Sequence, residues 1–126
     1  MRKSLLMLLL LSTSAAAEWT FVGDGEALKI YVDRSSVVEN GSVVRMWALV
    51  DYATVQQWSD YLSYRSLKTH RAFDCSGARQ HTQSSLLHRE QMGSGESVYA
   101  VPVGSSWQPV TAGSIDEVLW NFACKP

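Results

Sequence analysis

The chain is poor in most of the residues that announce chemistry. It holds two cysteines, three prolines and three histidines in 126 residues. Two cysteines cannot build a disulfide-dense scaffold or a four-cysteine zinc site, and Cys75 and Cys124 lack the C-x-x-C spacing of a redox or metal pair. No G-x-S-x-G, H-E-x-x-H or phosphate-cradling glycine loop occurs. Gly93-Ser94-Gly95-Glu96-Ser97 is glycine-rich, but strand-like patterns flank it where a phosphate loop requires a helix. His70, His81 and His88 with Asp74 are the remaining candidates for metal binding or acid–base work. On regular strands His81 and His88, seven residues apart, point to opposite faces, so no metal and no cofactor is expected. The chain also lacks internal repeats, low-complexity tracts and linkers, and no apolar run beyond its first 17 residues could cross a membrane.

Those first residues carry the clearest signal. Arg2 and Lys3 precede an unbroken apolar run from Leu5 to Leu11, and Ser12 to Ala17 turns small and ends in three alanines. That order is the secretory pattern, with cleavage expected between Ala17 and Glu18. The alternative is an uncleaved anchor or a buried N-terminal helix. No cysteine follows the apolar run, so no lipid attachment is expected there, and a periplasmic or secreted location is. Cleavage of 17 residues from 126 leaves a single domain, 18–126, large enough to bury about two-thirds of its unfolded surface. Without Arg2 and Lys3 the mature chain has 9 basic and 12 acidic residues, a formal charge of −3, so its global charge does not favour nucleic acid or an anionic membrane. Outside the cytoplasm the two cysteines are expected to bridge, closing a loop of about 50 residues and contributing roughly 4 kcal/mol in the chain-entropy description. The alternative is two free thiols.

The mature chain reads as strands followed by one helix, an α+β domain that is mostly β. Glu18 to Gly23 is rich in aromatic and β-branched residues, and Asp24-Gly25 marks a turn. Leu28, Ile30 and Val32 alternate with Lys29, Tyr31 and Asp33 as in a half-buried strand. Asn40-Gly41 suits a type I′ turn, and with Ser42 it also forms a glycosylation sequon. From Ser42 to Tyr52, Val44, Met46, Ala48 and Val50 form a wholly apolar face, whereas Val43, Arg45, Trp47 and Leu49 form a mixed one. Ala53 to Leu62 shows no period and reads as a long loop with room for one helical turn. Strands follow at Tyr64 to Asp74, Arg79 to Arg89 and Ser97 to Val103, the last with Pro102 at an edge. Ser114-Ile115-Asp116-Glu117 is a capping box opening a helix whose apolar residues are Ile115, Val118, Leu119 and Phe122.

Short segments are spread through the mature chain: Trp19; Tyr31-Val32-Asp33 with Ser36; Val44 with Met46-Trp47 and Asp51-Tyr52; Tyr64-Arg65-Ser66-Leu67-Lys68; Phe73-Asp74-Cys75; Met92-Gly93 with Gly95-Glu96; Trp107-Gln108-Pro109-Val110; and Gly113-Ser114 leading to Cys124. In their order and spacing they resemble the surface-adhesin protein E family of small exported bacterial proteins. The resemblance implies a curved antiparallel sheet of about six strands, with a C-terminal helix packed on its concave face and held by the cysteine pair. It also implies a protein partner, from the envelope or the host extracellular matrix, and no enzymatic activity. A periplasmic hydrolase-like enzyme with an unrecognised site is the alternative.

Charge is distributed unevenly. Tyr61 to Glu90 carries five basic and two acidic residues, while the rest of the mature chain carries four basic and ten acidic. A local patch of this kind can steer an anionic partner. The simpler reading is solvated strand faces balanced by acidic neighbours from elsewhere in the sheet. If the chain is a binding module, the expected contact surface combines Arg65, Lys68 and Arg71 with Trp58 and Tyr61, an aromatic pair not needed by any predicted strand. Oligomeric state is not legible.

Overall fold

A computed structural model describes residues 17–125, so the expected leader lies, except for Ala17, outside the described residues. Eight strands form one antiparallel sheet: β1 (Trp19–Gly25), β2 (Leu28–Asp33), β3 (Val38–Asn40), β4 (Val43–Ser59), β5 (Leu62–Asp74), β6 (Arg79–His88), β7 (Ser97–Ala100) and β8 (Gln108–Pro109). Six of them run in the order β1-β2-β4-β5-β6-β7; the short β3 pairs with β4, and β8 pairs with β6. Among the described residues a single α-helix, α1 (Ile115–Cys124), packs on one face.

The two alternating apolar stripes specify that face. Register places Val32 opposite Ala48 and Ile30 opposite Val50. Ile30, Val32, Met46, Ala48 and Phe73 form the buried core with Leu119 of α1. The helix crosses closely at Gly23, where an added Cβ would stand 2.8 Å from a Val118 methyl. Ser114 caps it as expected, its Oγ accepting from the Glu117 N–H at 3.3 Å. The reciprocal half of the box is displaced by one residue, because Glu117 Oε1 accepts from the Gly113 N–H. The far end is fixed by the Cys75–Cys124 disulfide, with Cα atoms 5.3 Å apart, and by Trp120 Nε1 donating to the Asp74 carbonyl.

Three expectations need correction. The stretch from Ala53 to Leu62 is not a loop: β4 continues to Ser59 and turns directly into β5 at Leu62. The β3–β4 turn has Gly41 and Ser42 at its centre, since Asn40 pairs with Val43, and only Gly41 has positive φ. That is the pattern of a type II′ turn. Leu49, placed on the mixed face, is fully buried because a second layer covers it. That layer is the segment Gln91–Gly93, drawn in by Ser66 Oγ donating to the Glu90 carbonyl and accepting from the Gly93 N–H.

Candidate functional site

β4 and β5 change character beyond Asp51. Asp51 pairs with Ser66 and Gln56 with Tyr64, so four residues, Tyr52 to Val55, stand opposite Arg65 alone. Excess residues of this kind bend a strand. Beyond this point β4 and β5 pair only with each other, because the β2 ladder ends at Tyr52 and the β6 ladder at Ser66. The result is a hairpin arm. Tyr52 and Tyr64 meet edge-to-face at 5.7 Å at its base, and burial, reinforced by the Tyr64 hydroxyl, pushes the Tyr52 hydroxyl up to about 12. Tyr61 at the tip is fully exposed. Trp58 is 47% exposed and leans on Tyr99 of β7, with ring centroids 5.4 Å apart.

At the base of the arm lies an open groove of about 550 Å³. The end of β1 supplies Asp24 and Gly25, β2 supplies Lys29 and Tyr31, and Asp51, Arg65 and Gln91 line the rest with their neighbours. Arg65 Nη2 donates to the Ala53 carbonyl at 2.8 Å, which holds the guanidinium against the bent part of β4. Asp51 Oδ1 accepts from the Met92 N–H at 2.7 Å. The sequence marks none of Lys29, Tyr31 and Asp51 as a contact residue. Lys29 and Asp51 become neighbours only through the β2–β4 register.

The five expected contact residues do not converge on one surface. Trp58 and Tyr61 share the arm, with Arg65 at its base. Register sets Lys68 opposite Leu49, on the face away from α1, where its aliphatic chain lies against Gly93. Arg71 stands opposite Met46 on the helix side and is only 8% exposed. There it forms an ion pair with Asp116 and donates to Gln80 Oε1. The fold thus uses Lys68 and Arg71 for packing.

The histidines are dispersed as well. One extra residue, Gln83, sits in β6 between the partners of Arg71 and His70 and reverses the alternation. His81 and His88 therefore share a face, contrary to the regular-strand expectation. Their partners Ala72 and Ser66 are still six residues apart along β5, roughly 20 Å. His70 stacks on Trp47 at 4.9 Å, and burial, followed by the nearby Arg45 charge, lowers its pKa. Burial also lowers that of His88, whose Nδ1 contacts the Gly95 carbonyl. Among the described residues no three metal-ligating side chains gather, and no helix is long and apolar enough to cross a membrane.

Comparison with known proteins agrees with this architecture. No curated protein matches the sequence. Crystal form II of Haemophilus influenzae protein E superposes with a TM-score of 0.63 at 12% identity, covering 87% of this chain and 96% of that one. A second structure of Haemophilus influenzae protein E gives 0.58 at 12% identity, over 84% and 83% of the two chains. Protein E from non-typeable Haemophilus influenzae gives 0.56 at 12% identity, over 82% and 74%. At such identity the likeness establishes the fold. The family model described as surface-adhesin protein E matches residues 19–125, the whole of the described sheet and helix, and the chain belongs to that family.

Proposed function

We propose that this protein is an exported, non-enzymatic binding module that contacts an envelope or host extracellular-matrix protein through the free end of the β4–β5 arm. The observation that carries this reading is the fully exposed Tyr61 beside the half-exposed Trp58, on a hairpin that no other strand pairs with. Large aromatics supply contact area at low entropic cost and dominate interface hot spots. Membership of the surface-adhesin protein E family supports protein binding as the class of activity. The leader pattern supports a periplasmic or secreted location after cleavage between Ala17 and Glu18.

The test is a pull-down with the mature, oxidised domain against envelope and host-matrix fractions, with the reduced domain and the Trp58→Ala/Tyr61→Ala variant run in parallel. A partner retained by the wild type and lost by the folded double variant supports the arm as the contact. Equal retention by the double variant refutes it.

A further inference from the structure

Arg65 differs from the other arginines of its neighbourhood. Arg71 pairs with Asp116, Arg79 with Asp74 and Arg89 with Glu96. Arg65 makes its hydrogen bond to a neutral carbonyl, and its Nε–H, like that of Arg71, is buried with no partner. Among the described residues no carboxylate lies within ion-pair distance of it. A guanidinium presents five donors in a fork that matches a carboxylate. Leaving them without an anion inside a partly covered site costs free energy that an incoming acceptor can recover.

Arg65 lines the groove at the base of the arm, together with Lys29, Tyr31 and Leu28. We propose that this groove is a subsite for a carboxylate carried on an extended peptide segment of the partner, seated on Arg65 with the Tyr31 ring taking the neighbouring aliphatic side chain. The proposal rests on the binding-module reading and adds the chemistry of the partner. The groove walls separate a single carboxylate from a polyanion. Asp24 and Asp51 flank the same space, so two acids face two bases there. A sulfated glycan or a phosphorylated segment would meet both acids, whereas one carboxylate meets the guanidinium and leaves room for a neutral or basic neighbour. Opposed like charges of this kind discriminate among partners.

The experiment is a backbone-amide NMR titration of the mature oxidised domain with N-acetyl-Leu-Glu-Leu-amide, its Gln counterpart and a heparin disaccharide. The expected result is saturable shifts at Ala27, Lys29, Arg65 and Gln91 with the Glu peptide at millimolar concentration, and affinity about tenfold weaker for the Gln peptide. Arg65→Gln should reduce Glu-peptide affinity to that of the Gln peptide, and Arg65→Lys, which keeps the charge without the fork, should fall between. Equal binding of the two peptides by the wild type overturns the proposal without any variant. So do the absence of saturable shifts in the groove and tighter binding of the disaccharide there. A pull-down partner that the folded Arg65→Gln protein retains at wild-type level also overturns it, and leaves the arm as a binding surface intact.

Discussion

Substituting Gly23 by alanine tests how α1 is seated on the sheet. The added Cβ would lie 2.8 Å from Val118 Cγ1 and 3.7 Å from Cγ2. Ordinary carbon contacts are about 3.5–4.0 Å, so the helix or the side chain must retreat by most of an ångström. Val118 cannot easily rotate away, because a β-branched side chain in a helix has one strongly preferred rotamer. Retreat of the helix is opposed at its far end by the disulfide and by the Trp120–Asp74 hydrogen bond. Overpacking of this kind costs about 1–3 kcal/mol. Replacing a strand glycine by alanine returns about 0.5–1 kcal/mol, so Gly23→Ala alone should destabilise by about 1–2 kcal/mol. Val118→Ala alone removes half-buried methyl groups and should cost about 1–2 kcal/mol. Together the two should be much less than additive, because the smaller residue at 118 accommodates the new methyl, with a coupling of about 1 kcal/mol. Urea unfolding of the oxidised domain and its three variants, with midpoints and slopes compared, measures that coupling. Additive effects would show that α1 does not rest on Gly23 as described.

Cys124→Ser should lower stability by about 2–5 kcal/mol, and reduction of the wild type should lower it similarly; coincident melting of oxidised and reduced protein would contradict this. Ser114→Ala should cost about 1 kcal/mol in urea unfolding, through loss of the cap on the Glu117 N–H, and an unchanged midpoint would remove the cap from the account. Asp74 accepts from the backbone and hydroxyl of Ser76 and from Arg79, which hold its carboxyl well below the ordinary 3.8. Its folded pKa is depressed, so its contribution is present above the unfolded value and is lost as pH falls below it. Asp74→Asn should therefore flatten the acid limb of the stability profile while lowering stability at neutral pH, and an acid limb identical to the wild type would refute that role.

The parts of the fold legible in the sequence are those with a strict period and a buried face. Ile30 and Val32 in β2 meet Val50 and Ala48 in β4 across the register, and with Leu28 and Met46 of the same stripes they locate the core. The capping residues locate the start of α1 for an equally local reason. Ala53 to Leu62 was illegible because two conditions failed together. Four residues opposite Arg65 break the two-residue period, and the arm beyond has no core face to impose alternation. Gln83 shows the same weakness on a smaller scale, since one inserted residue moves every later side chain of β6 to the other face. Leu49 lies on the expected face, but its burial is not legible for a different reason: the segment that covers it arrives from 42 residues further along the chain and leaves no mark on β4 itself.

The candidate site was legible only where local exposure decided it. Trp58 and Tyr61 stood out because no predicted strand needed them, and they do lie at the tip of an arm. The basic excess between Tyr61 and Glu90 was a weaker guide, because linear charge counting ignores what the fold brings together. Arg71 meets Asp116 of α1, Arg89 meets Glu96 beyond β6, and Arg79 meets Asp74 across the β5–β6 turn. Each pair removes a cation from any long-range field, and Lys68 packs its stem against Gly93. What survives of the expected patch is Arg65, held at a bend of β4, with Lys29 contributed by a strand outside the basic segment. An electrostatic surface spread over a sheet face would accelerate encounter with many anions. One unpaired guanidinium in a groove flanked by Asp24 and Asp51 instead favours a single, well-placed carboxylate, as the proposed subsite requires. In the proposed function, recognition therefore rests on a few short-range contacts around the arm, with selectivity set as much by the two flanking acids as by the cation they surround.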